Sequence, residues 1–121
     1  MEGLHRNGWA DVAVIAVETR GADSFAQSVA AGERITLPAI TSIATSLGAR
    51  QVCQQAWDAT KKHTIHSVVV SDQEALAACE AFVSDQRVVV EPACGAALAA
   101  VYGRLPVLAP FKTVAVVVCG G

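Results

Sequence analysis

The chain has 121 residues, 53% of them hydrophobic and 17% charged, with a formal net charge of −2. That composition excludes disorder, which needs low hydrophobicity and high net charge, and nine Lys plus Arg against eleven Asp plus Glu leave no basic stripe for nucleic acid. Soluble domains are about a quarter charged and small ones have the most surface to cover, so these faces are expected to be covered by association or by further chain.

In chain order, the first ten residues carry Glu2, His5, Arg6 and Asn7 with no apolar stretch, so no secretory signal is expected. Residues 12–17 are a continuous apolar run closed by Glu18, the pattern of a strand buried on both faces. Phe25, Val29 and the alanines around them predict a short helix that Gly32 ends. Residues 33–47, rich in Thr, Ser and Ile, read as irregular. Residues 51–62 are predicted helical, with Val52, Ala56 and Ala59 on one face and Lys61 and Lys62 at the C-terminus. Residues 65–70 form a second β-branched run. Ser71 and Glu74 make a capping box, opening a helix through Leu76, Cys79, Phe82 and Val83. Residues 88–90 are a short strand or extended entry, and Pro92 suits the first turn of a helix to Tyr102. Residues 114–118 are a further apolar run, closed by Cys119 and two glycines.

Buried strands alternating with helices predict an α/β domain with a parallel sheet and helices on its faces. No apolar run approaches the length of about 18 residues that a membrane span needs. A final strand meeting a glycine turn suggests an incomplete fold. Ligands of parallel sheets bind at the carboxyl ends of the strands, so three strand ends hold the candidate chemistry. Glu18, ahead of a tight Gly turn, either helps to ligate a cation or simply faces water. Cys119 is either a thiol beside glycines that admit a ligand or a small buried hydrophobe. Glu91, before Pro92 and Gly95, reads as a helix start.

Other residues point less clearly to chemistry. His63 and His66 are three apart but straddle a helix end and a strand start, and solvated histidines are expected rather than a metal pair. Lys61, Lys62 and Lys112 sit in surface-like contexts. Cys53, Cys79, Cys94 and Cys119 are far apart, without a CxxC pair, and read as reduced and intracellular.

Four strings carry a resemblance: Val17-Glu-Thr-Arg-Gly-Ala-Asp-Ser-Phe25, Ile35-Thr-Leu-Pro-Ala-Ile-Thr-Ser-Ile-Ala-Thr-Ser-Leu-Gly48, Val90-Glu-Pro-Ala-Cys-Gly-Ala-Ala-Leu-Ala-Ala-Val-Tyr102 and Val116-Val-Val-Cys-Gly-Gly121. In order and over essentially the whole chain, they closely resemble the L-serine/L-threonine dehydratase family, pyridoxal-phosphate enzymes of fold type II. The resemblance implies that residues 1–121 are the C-terminal portion of a parallel-sheet, three-layer large domain. It implies an α,β-elimination of L-serine or L-threonine to a keto acid and ammonia, in a cytoplasmic homodimer that engages neither nucleic acid nor membrane.

Residue by residue, Cys119 matches the thiol at the cofactor's pyridine nitrogen, with Gly120 beside it, and Ser46 matches the residue against one face of the ring. Glu18, with the carbonyls of Ala22, Leu47 and Ala49, matches a monovalent, potassium-like cation site; oxygen ligands suit a hard cation. Nothing in the chain matches the family's Schiff-base lysine, its asparagine-bearing substrate loop or its glycine-rich phosphate loop. The segment between Tyr102 and Val114 is also shorter than in the family. The resemblance therefore implies a fragment or truncated form that is inactive alone. A non-catalytic α/β module that associates with another chain is the alternative; other fold-type-II enzymes are disfavoured by Cys119, where Ser is common.

Overall fold

The computed structural model describes residues 1–120. Its elements, in order, are α1 (Glu2–Arg6), β1 (Val14–Thr19), α2 (Ser24–Ala31), a 3₁₀ turn at Thr45–Leu47, α3 (Gln54–Ala59), β2 (Ile65–Val70), α4 (Asp72–Gln86), α5 (Pro92–Tyr102) and a second 3₁₀ turn at Pro106–Leu108.

The two β-branched runs pair in parallel, in a register running from Val14 opposite Ile65 to Thr19 opposite Val70. Side chains alternate between the faces of a strand, so the paired Val17 and Val68 share one face. Both pack into the core with Cys94, Leu98 and Ala99 of α5. The other face carries Glu18, whose carboxylate reaches the first amides of α2. Helix α5 thus lies on one side of the sheet and α2 on the other, with α4 packed against α5.

Local signals explain the α4–α5 pair. Ser71 Oγ accepts the Glu74 amide at 3.2 Å, and Glu74 Oε2 accepts the Ser71 amide at 2.6 Å, so two donors at the start of α4 are satisfied reciprocally. Arg87 ends α4 in the left-handed region at φ 60°. Pro92 then stands in the first turn of α5, where its missing N–H costs no hydrogen bond. The helices cross closely at Gly95: a Cβ there would collide with the Ala75 carbonyl and with Cys79 Sγ.

Three features depart from expectation. Residues 114–118 form no strand, because β1 and β2 pair with each other and no third strand among the described residues offers them hydrogen bonds. Val116 alone of this run packs on the core, whereas Val117 is 77% exposed. Residues 88–90 take the second of the two forms expected for them, an extended entry, with Val89 exposed and Val90 buried. Helix α3 is shorter than its apolar pattern suggested, since Cys53 is extended and Val52, already buried, precedes it. The short α1 was not expected. It is braced by an exposed Arg6–Glu2 pair at 2.8 Å. Among the described residues no helix is long and apolar enough to cross a membrane.

Candidate functional site

Both strands end at the same edge of the sheet, where a polar network ties three segments together. Ser42 Oγ donates to Asp72 Oδ1 at 2.6 Å, and the Ile43 amide donates to Asp72 Oδ2 at 3.1 Å. With its proton committed to Asp72, Ser42 Oγ accepts from Thr19 Oγ1 at 2.7 Å and from the Ala44 amide at 3.0 Å. Thr19 closes β1 and Asp72 opens α4, so the irregular segment between them is pinned across both strand ends. Gly21 makes the first turn possible: its φ is +89°, and Thr41 Oγ1 fills the place of a side chain. Ser46 lies in the turn that this network holds, and it is exposed to solvent.

Glu18 sits beside that network. Its two carboxylate oxygens accept the Phe25 amide at 3.0 Å and the Ala26 amide at 2.8 Å, taking up two unpaired donors at the start of α2. Burial pushes its carboxyl above the ordinary value, the two amide bonds oppose that, and the charge of Asp23 adds to it. Among the described residues no cationic side chain lies within ion-pair distance of Glu18. Next to it, Ser24 Oγ donates to the Ala49 carbonyl at 2.7 Å, and the Leu47 carbonyl accepts the Ala49 amide at 2.7 Å. Glu18 and the carbonyl of Ala49 are thus joined through the first turn of α2, with buried Ala22 in the turn between strand and helix. The alternative that Glu18 merely faces water does not hold: it is half-buried and doubly hydrogen-bonded.

The third strand-end candidate lies at the start of α5. The Cys119 amide donates to Cys94 Sγ at 3.3 Å. Gly120 has φ +76°, and a Cβ on it would stand 2.6 Å from Glu91 Oε1. Cys119 and Gly120 therefore lie over the N-terminus of α5, with Cys119 exposed; the reading of Cys119 as a buried hydrophobe does not hold, and that description belongs to Cys94. The turn bearing Ser46 also packs on α5, although no hydrogen bond joins Ser46 to Cys119.

Of the two histidines, His66 is exposed as its sequence reading has it, and His63 is not. His63 is buried, and its Nε2 donates to the Val12 carbonyl at 2.7 Å. The remaining nitrogen, Nδ1, accepts from His5 Nε2 at 3.2 Å. His66 stands apart, edge-on to Phe111. Lys61, Lys62 and Lys112 are exposed, as expected. Among the described residues no three His, Cys, Asp or Glu side chains cluster as metal ligands. Sequence reasoning missed Thr19, Ser24, Ser42 and Asp72. Asp72 stood inside the capping box, where an acidic residue next to the N-cap is explained by the helix dipole alone.

The description "Pyridoxal-phosphate dependent enzyme" belongs to the family model that matches residues 1–120. The L-serine dehydratase/L-threonine deaminase of Bos taurus is 50% identical over an alignment covering 100% of this chain and 39% of the relative; that of Homo sapiens is 48% identical with the same coverage. The bovine alignment runs over 129 positions, so the relative carries insertions with respect to this chain. Among solved structures, a fungal L-serine ammonia-lyase from Rhizomucor miehei superposes with a TM-score of 0.91 at 35% identity, covering 99% of this chain and 40% of that one. A maize serine racemase gives 0.83 at 28% identity, covering 98% and 38%. The chain spans about two fifths of the length of the curated relatives it matches.

Proposed function

We infer the function of this chain from its family: it belongs to the pyridoxal-phosphate dependent enzymes of fold type II, and we read it as the C-terminal portion of a serine/threonine ammonia-lyase. The observation that carries this reading is the Cys119–Gly120 corner over the start of α5, where glycine leaves room that a Cβ would fill against Glu91. An exposed thiol at the corner and an exposed hydroxyl at Ser46 suit the ring end of pyridoxal phosphate. When bound, that cofactor supplies the electron sink for eliminating water from the substrate. The chain's own part is positioning. Cys119 would meet the pyridine nitrogen and, unlike a carboxylate, would bring no negative charge to hold a proton there. Ser46 would lie against one face of the ring. The polar network of Thr19, Ser42 and Asp72 fixes the turn that carries Ser46.

The cation belongs to the same reading. Glu18, with the carbonyls of Ala22, Leu47 and Ala49, forms an all-oxygen set that suits potassium. A half-buried carboxylate with no cationic neighbour among the described residues supports it, since a bound cation offsets the cost of burying that charge. L-serine or L-threonine is then the substrate, a homodimer the working assembly and the cytoplasm its setting, in keeping with four free cysteines.

The covalent lysine is assigned to the part of the relatives that this chain does not span. The 121 residues alone are therefore expected to release no ammonia from L-serine or L-threonine. Supplied with the complementary part of the bovine relative, they should form an active complex whose activity falls in Cys119→Ala. Ammonia release by the chain alone would overturn the reading, as would a complex indifferent to Cys119→Ala.

A further inference from the structure

Cys94 and Cys119 are 25 residues apart in sequence yet in contact: the Cys119 amide points at Cys94 Sγ from 3.3 Å. An N–Cα bond of about 1.46 Å keeps the Cys119 Cα within about 4.8 Å of that sulfur, a separation a disulfide can span. Cys94 is fixed on α5 with no exposure, whereas Cys119 is exposed at the end of a run with no strand partner. One sulfur is held rigidly, and the other has room to swing towards it.

We propose that Cys94 and Cys119 are an oxidation site that closes to a disulfide on exchange with a low-molecular-weight disulfide such as glutathione disulfide. The exposed Cys119 thiolate attacks one sulfur of glutathione disulfide, whose S–S bond breaks and releases one glutathione thiolate. Cys94 then gives up its proton and attacks the Cys119 sulfur of the mixed disulfide, releasing the second glutathione, which takes up a proton. Two protein thiols are oxidised and one glutathione disulfide is reduced to two glutathiones.

The order follows from exposure. Burial pushes the Cys94 thiol up, so it resolves the exchange rather than starting it. Cys79, whose thiol is also raised by burial, points instead at the Glu91 carbonyl at 3.5 Å. Cys53 is exposed at the start of α3. The bond locks residues 114–119 to α5. Its consequence for the cofactor rests on the function proposed above, because it takes the Cys119 sulfur away from the ring nitrogen.

The test is mass-spectrometric mapping of the 121-residue chain after incubation with glutathione disulfide, in buffer and in urea. In buffer the Cys94–Cys119 linked peptide should dominate. In urea Cys79–Cys94 should overtake it, because a loop of 15 residues closes about twofold more readily than one of 25. Cys119→Ser, a surface change, should leave Cys94 unmodified in buffer. The same mixture in buffer and urea, or Cys79–Cys94 dominating in buffer, would overturn the proposal. A linked peptide that leaves cofactor binding of the complemented enzyme unchanged would instead remove Cys119 from the cofactor site while leaving the disulfide established.

Discussion

Helix α5 and the run at 114–118 are both made of small apolar residues, yet they meet opposite fates. Seven of the eleven residues of α5 are buried, while Val114, Val117 and Val118 stand exposed. The helix satisfies its own backbone, so it needs only an apolar surface to lie on, and β1, β2 and α4 provide one. An extended run cannot satisfy itself and needs a neighbouring strand for each amide and carbonyl. Parallel sheets are ordinarily covered on both faces and extend beyond two strands. Hydrophobicity sets the demand for burial; hydrogen-bond partners decide whether an extended segment meets it.

The sharpest way to break this contrast is at the helix crossing. Gly95→Val should destabilise the fold by about 3 kcal/mol or more, the upper range for overpacking, because its side chain enters the space of the Ala75 carbonyl and Cys79 Sγ. Urea unfolding of the variant measures it, and an unchanged midpoint would mean that the two helices do not cross as described. Next in size, Asp72→Ala should cost about 1–3 kcal/mol, since it strands the Ser42 hydroxyl and the Ile43 amide. The same measurement checks it.

A smaller effect concerns pH and cations. Burial raises the Glu18 carboxyl, so the folded state binds that proton more tightly than the unfolded one. Its contribution to stability is therefore greatest below the unfolded value and declines as pH rises through the window up to the raised one. Glu74 has the opposite sign. The Ser71 amide and then its hydroxyl lower the Glu74 carboxyl, so its contribution is present above the unfolded value and is lost as pH falls through the folded one. Melting temperatures followed against pH should show the first slope vanish in Glu18→Gln and the second in Glu74→Gln. If potassium binds at Glu18, potassium chloride several-fold above its Kd should stabilise the chain by about 1 kcal/mol over choline chloride, and Glu18→Gln should abolish the difference. The smallest effect belongs to the exposed run: Val117→Asp should shift stability by less than about 0.5 kcal/mol. A larger loss would show that this valine is covered.

The sequence was most informative where a local rule was sufficient. The runs around Val17 and Val68, the Ser71–Glu74 box and Pro92 each act within one turn or one strand, and each marks its element. It was least informative where the outcome depended on distant partners. Residues 114–118 read as a strand because nothing local records whether a partner strand exists. Ser42 looked like loop polarity, since its role depends on Thr19 and Asp72, 23 and 30 residues away. Glu18 was visible as a strand-end carboxylate, but its bonds to Phe25 and Ala26 depend on where α2 begins. Cys119 drew notice through its glycines, whereas nothing local marked Cys94 as the residue it touches.

The central claim is that this chain carries one side of a cofactor site and needs the rest of the fold to complete it. Titrating pyridoxal phosphate into the chain, alone and with the complementary part of the bovine relative, and following the absorbance of protein-bound cofactor, tests that claim directly. The chain alone should give no stoichiometric band, and the complemented protein should give one that Cys119→Ala weakens. A stoichiometric band from the 121 residues by themselves would contradict the account.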